Sequence, residues 1–343
     1  MPTEDPYARG RLAASRQSTD DPKREELMST IATSQIKLTP ERSRPSVRSR
    51  LQDALPKIVL APSFAITIVF VYGFILWTIY LSFTNSKTFP SYVITGPRAY
   101  QRLWGWTFDT DPPSSWYTSI TNMGIFGFLY ILICLALGLF LAILLDQKIR
   151  GEGVLRPIYL YPMALSFIVT GVAWKWFLDP GLGLEQTLHQ WGWTSFHFDW
   201  IKNKDFVIYT VVIAGVWQAS GFIMAMFLAG LRGIDGEIMK AAQIDGATTF
   251  QLYRRIVIPL LRPIFLSAFI VLAHLAIKSY DLVVALTSGG PGGSAWLPSN
   301  FMYEYTFKRN EMAVGSASAV IMLMTIVAII VPYLYSELRE KPR

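Results

Sequence analysis

Charged and hydrogen-bonding side chains set inside apolar runs are where this 343-residue chain could do chemistry. His274, Lys278 and Asp281 lie in one such run, with Ser279 and Tyr280 beside them. Ionisable groups inside a membrane span are costly and usually mark a solute pathway. On a continuous helix the spacing i, i+4, i+7 brings all three to one face. Two readings follow: a polar cavity wall that touches a permeating solute, or a Lys278–Asp281 pair satisfied within the helix. Upstream, Trp217, Gln218, Ser220 and Phe222 offer an amide, a hydroxyl and two aromatic faces to a polyhydroxylated solute, and each ring serves equally well in helix packing. Gln218 is the stronger candidate, because an unsatisfied amide in lipid costs several kcal/mol. Ser166 and Met163 are weaker candidates of the same kind.

Other chemistry is disfavoured. The acids Asp109, Asp111, Asp179 and Glu185 lack the spacing of a general acid and base, so no catalytic residue is assigned and the chain is not read as an enzyme. His189, His197 and His274 are scattered without metal-ligand spacing, and no metal site is assigned. The lone Cys134 cannot form an internal disulfide. No Gly-Lys pair occurs, so the chain holds no phosphate loop. The glycines at 289, 290, 292 and 293 are read as a tight turn, since no strand–helix unit surrounds them.

The elements that carry these residues are membrane helices. The chain is 52% apolar and 16% charged, against about 25% charged in soluble domains. Mean hydropathy is +0.34. About 20 apolar residues cross the hydrocarbon core as a helix, and six stretches qualify, near 58–83, 120–145, 156–178, 206–231, 263–287 and 313–336. Pro157, Pro162 and Gly171 predict that the third is bent or broken. The fold class is therefore all-α and polytopic, with a six-helix membrane domain over 55–338. A flexible tail precedes it at 1–54, and a short tail follows at 339–343. Of the 31 Lys and Arg, 22 fall on the side of the N-terminus and eight on the opposite side, which predicts that both termini are cytosolic. The basic residues flank spans and form no folded patch, which argues against nucleic-acid binding. Trp104, Trp106, Trp116, Trp191, Trp193 and Trp200 then lie in outer loops as anchors at the headgroup level.

The loop over 232–263 is too polar to cross and too regular to be a linker. Asp235 caps a helix start with Glu237 just inside it, and Ile238, Ala241, Ala242 and Asp245 follow at helical spacing. Gly246 interrupts the run. A second turn places Phe250, Tyr253 and Ile256 on one side, and Pro259 and Pro263 mark the passage into the next span. Two short helices joined at a glycine make either a knob for a partner's groove or an interfacial hairpin lying on lipid.

This loop resembles the EAA loop of permease subunits in ATP-binding-cassette importers. The pattern E-A-A, three residues, G, nine residues, I, one residue, L-P falls on Lys240, Ala241, Ala242, Gly246, Ile256, Ile258 and Pro259. Lysine stands where the pattern has glutamate, and isoleucine where it has leucine. Glu237, one turn earlier, offers an alternative carboxylate. WQASGFIMAMFLAGL from Trp217 and DLVVALTSGGPGG from Asp281 are similar to the maltose-type branch of that family, and the similarity runs over roughly 55–340. YPMALSFIVTGVAWKWF and AHLAIKSYDLVVAL are similar to glucose and mannose importer permeases.

The resemblance implies a subunit of the cell inner membrane that passes a sugar, favouring a monosaccharide. It implies that ATP and Mg are held by two separate cytosolic ATPase subunits, with no cofactor in this chain. A homologous second permease and an extracytoplasmic sugar-binding protein complete the implied set of partners. Lys278 and Ser279 fall where the maltose-type branch presents asparagines to sugar. An ion-coupled secondary transporter is the alternative, but it needs internal repeats and a coupling carboxylate, and only Asp281 is a candidate for the latter.

Overall fold

The computed structural model describes residues 57, 59–105, 114–147 and 151–339. The tail at 1–54, Trp106, Asp109, Asp111 and residues 340–343 lie outside the described residues. The chain divides into two compact units, Met1–Phe70 and Val71–Arg343. In the first, residues 59–70 are helical and their side chains are exposed. The division falls within the apolar helix α1, Val59–Ser82, which carries a wider π-type turn at Ile68–Tyr72.

The second unit continues as α2 (Arg98–Leu103), α3 (Ser114–Asp146), α4 (Glu152–Ala164), α5 (Phe167–Phe177), α6 (Leu184–Gln190) and α7 (Val207–Arg232). Then come α8 (Gly236–Ile244), α9 (Thr249–Leu260), α10 (Arg262–Ile277), α11 (Tyr280–Thr287), α12 (Pro298–Tyr303) and α13 (Met312–Arg339). Among the described residues the only β feature is an isolated Thr84–Ile94 bridge. Helices α1, α3, α7 and α13 are long and apolar enough to cross a membrane. The bent pairs α4/α5 and α9/α10 bring the total to as many as six.

Helix α7 is the centre. It packs along α3 and against α4, and its buried residues include Val211, Ala214, Ile223, Met224 and Phe227. Small residues permit the close approach, as usual where helices meet in membranes. A methyl group on Gly138 of α3 would lie 2.6 Å from Ile223 Cγ2, and one on Gly221 of α7 would strike the carbonyl of Tyr159 in α4. A second, smaller core joins Leu103, Trp116, Phe301, Tyr305 and Val314 beneath α2, α12 and α13. Trp116, expected as a surface anchor, is 1% exposed within this core. Trp191 and Trp193 stand exposed as an anchor would.

The predicted break in the third span forms, but not at its prolines. Pro157 and Pro162 lie inside α4, and the chain turns at Leu165 and Ser166, leaving α4 and α5 bent by 101°. Leu165 is extended, and Ser166 caps α5 by accepting from the Val169 N–H at 3.2 Å. The expected fifth span, 263–287, is likewise two helices, α10 and α11, interrupted at Lys278 and Ser279.

Candidate functional site

The loop between α7 and α10 folds as two short helices joined at a glycine. Asp235 Oδ1 accepts from the Glu237 N–H at 2.9 Å and starts α8. At its end Gly246 adopts φ +81°, with its N–H donating to Gln243 O and the Ala247 N–H donating to Ala242 O. This is a Schellman ending, which needs a residue in the left-handed region. Thr248 and Gln251 then cap α9 reciprocally. Ala242, Leu252 and Val257 face the core, and Tyr253 and Ile256 pack against it. Lys240, Glu237, Ala241 and Asp245 are exposed, and so are the apolar Ile244 (86%) and Phe250 (71%). Phe250 therefore does not share the buried side of Tyr253 and Ile256, as the periodicity predicts; it stands out from the knob. At the base, Arg232 bonds Glu152 at 2.6 Å and lies 3.9 Å from Asp146, tying the loop to α3 and α4. Sequence spacing gave no signal for this pairing, because the partners are about 80 residues apart.

At the break between α4 and α5, where Ser166 caps α5, Gln218 reaches the backbone of Leu165. Gln218, 3% exposed, donates from Nε2 to Leu165 O at 2.8 Å and so satisfies a carbonyl freed by the break. Its Oε1 is buried without a hydrogen-bond partner. Trp217 is partly exposed and meets Trp174 edge to face at 5.9 Å. With Tyr159, Pro162 and Ser220 these rings line a cleft of about 560 Å³. Phe222 packs against the core.

The polar stripe expected on the fifth span does not form. Helix α10 ends at Ile277, and α11 starts at Tyr280, so His274 belongs to one helix and Asp281 to the next. The i, i+7 relation requires one continuous helix, and Lys278 and Ser279 break it. Nor do Lys278 and Asp281 form an ion pair among the described residues. His274, Lys278 and Asp281 are all exposed, whereas Ser279 is buried and donates to Leu275 O. Tyr280 is half-buried against Tyr303, and its carbonyl accepts from Asn300 Nδ2 at 3.5 Å.

Past α11 the glycines at 289, 290, 292 and 293 all take positive φ and make the expected tight turn. Asn122 of α3 holds it, donating to Ser294 O at 2.7 Å and Trp296 O at 3.0 Å. Between α5 and α7, Glu185, His189 and His197 converge, each with one ligand atom within 4.8 Å of the others. The sequence expectation of scattered histidines is corrected here, because α6 and the turn after it fold His197 back onto Glu185. The Phe198 N–H and the His197 ring hold the Glu185 carboxyl below the usual carboxylate range.

Four to six helices long and apolar enough to cross a membrane, with a glycine-jointed polar loop between two of them, are the build of a multi-pass membrane protein. The model of the binding-protein-dependent transport system inner membrane component matches residues 134–340. The chain belongs to that family. It is 40% identical, over 84% of its length and 98% of the relative's, to a probable ABC transporter permease protein of Pyrococcus horikoshii. It is 37% identical, over 61% of its length and 66% of the relative's, to the xylose/arabinose import permease of Haloferax volcanii. Against the trehalose/maltose permease of Thermococcus litoralis it is 28% identical, over 81% and 91%. A bacterial ABC transporter that imports alginate shares the fold, with a TM-score of 0.73 at 16% identity over 86% of this chain and 99% of that one. These relatives are transport permeases, not enzymes.

Proposed function

We propose that this chain is the permease subunit of an ATP-driven importer that carries a sugar, favouring a monosaccharide such as glucose or mannose, across the cytoplasmic membrane. Both termini lie in the cytosol. Two separate ATPase subunits bind ATP and Mg and drive the knob at 232–263, and a homologous permease and an external sugar-binding protein complete the machine. The observation that carries this reading is the knob itself, an ordered loop with Ile244 and Phe250 exposed at its surface. Exposed apolar side chains flanking a capped glycine joint suit insertion into a partner's groove. The relatives' named substrates, among them xylose, arabinose, trehalose and maltose, support the substrate class.

The pathway is assigned to the broken segments. Gln218 through Oε1, Trp217, Ser166 and Phe222 are the candidates at the α4/α5 break, and His274, Lys278, Ser279, Tyr280 and Asp281 those at the α10/α11 break. Ionisable side chains exposed on apolar segments are poorly placed against lipid, so His274, Lys278 and Asp281, each exposed, turn to the second permease or to water. The test is sugar uptake and ATPase copurification after Ile244→Asp plus Phe250→Asp, with deletion of 246–256 as the stronger variant. We expect both to be lost while the chain still inserts. Retained copurification and uptake in the deletion would overturn the coupling role.

A further inference from the structure

We propose that Glu185, His189 and His197 form a binding site for a divalent transition-metal ion, with Zn(II) the best match, in the loop joining α5 to α7. Two imidazoles and a carboxylate are the donor set that zinc takes readily, whereas magnesium and calcium prefer oxygen ligands alone. The three residues sit within one short hairpin. Glu185 and His189 lie one turn apart on α6, and the turn after α6, with Gly192 at φ +97°, returns His197 to them.

The groups around the three ligands are arranged as those around metal ligands usually are. His189 donates from Nε2 to the carbonyl of Phe196 at 2.7 Å. A carbonyl can only accept, so the proton is fixed on Nε2 and the Nδ1 lone pair is left for an ion. A ligating histidine typically anchors its other nitrogen on a carbonyl in this way. Glu185 is oriented likewise: Oε2 accepts from the Phe198 N–H at 3.0 Å, while Oε1 faces His197 Nδ1 at 3.1 Å. Two ligands held about 2.1 Å from one ion in a tetrahedral shell are about 3.4 Å apart, close to this separation.

The ion takes the place of the proton that now bridges Oε1 and Nδ1; as that proton leaves Nδ1 one is taken up at the other ring nitrogen, Nε2, so that His197 ligates as a neutral imidazole. The three ligand atoms lie within 4.8 Å of one another, and the His197 side chain, 75% exposed, is free to rotate as they draw in around an ion. Water supplies the remaining position.

The experiment uses the full chain, purified in detergent without a histidine tag and stripped with a chelator. Zn(II) alone is titrated by equilibrium dialysis, and Co(II) is followed by its d–d absorption. We expect one equivalent of Zn(II), with affinity at least about tenfold weaker in His189→Gln, His197→Gln and Glu185→Gln and unchanged in the neighbouring Asp199→Asn. Size-exclusion profile and helical circular dichroism check that each variant is folded, and His197→Gln, altering an exposed ring, serves as the variant that keeps the fold. Absence of stoichiometric Zn(II) binding by the parent chain, or undiminished binding in the folded His197→Gln variant, overturns the site.

Discussion

Gln218 spends its donor on Leu165 O, 2.8 Å away, and that bond decides how the residue should be tested. Gln218→Leu leaves a half-buried carbonyl unpaired, at a cost of about 1 kcal/mol, read as a lowered unfolding midpoint in detergent. A loss of uptake much larger than the loss of stability then marks Oε1 as a solute contact; equal losses mark a latch alone. Gly246 is a second single-residue test. Its φ of +81° costs a side chain about 1–2 kcal/mol. Gly246→Val is therefore expected to unravel the Schellman ending of α8, seen as faster proteolysis at 244–248, with the helical content of the bundle unchanged. The residues missed in sequence, Arg232 with Glu152 and Asn122 on the glycine turn, share one reason. Each pairs with a partner far along the chain, and periodicity reports only neighbours within a few residues.

At the scale of elements, α7 is gripped closely on both sides, by the Tyr159 backbone of α4 at Gly221 and by Gly138 of α3 against Ile223. Gly221→Ala drives a methyl into the Tyr159 carbonyl, and backbone cannot swing aside as a side chain can. A loss of about 1–3 kcal/mol is expected, whereas Gly124→Ala, with nothing within 4 Å, stays near neutral in the same unfolding assay. The spans were legible in the sequence to within a few residues because apolar length is a strong signal: 206–231 was expected and Val207–Arg232 is found. The loop helices were legible through Asp235, Gly246 and the prolines. The interruption at Lys278 and Ser279 was not, since no proline or glycine marks it and its partners, Asn300 on the Tyr280 carbonyl among them, come from another element. The convergence of Glu185, His189 and His197 was half legible. The one-turn spacing of the first two is visible in sequence, but the fold of the following turn that returns the third is not.

For the molecule as a whole, the exposed His274, Lys278 and Asp281 imply a protein or water surface where an isolated chain shows none. Cys134 is the sole cysteine and is fully buried, so labelling at an introduced thiol has little background. Lys278→Cys should react readily with a polar maleimide in the isolated chain and at least several-fold more slowly once the proposed second permease is bound; equal rates would place that proposed interface elsewhere. The latch at Leu165 bears on the assembled machine in another way. It joins a neutral amide to a neutral carbonyl, so the bond itself neither titrates nor carries formal charge. A membrane voltage acts on formal charge, at about 2.3 kcal/mol per charge per 100 mV. This one contact at the break between α4 and α5 is therefore indifferent to voltage, pH and salt. That hydrogen bond is the same in an energised cell and in a depolarised one.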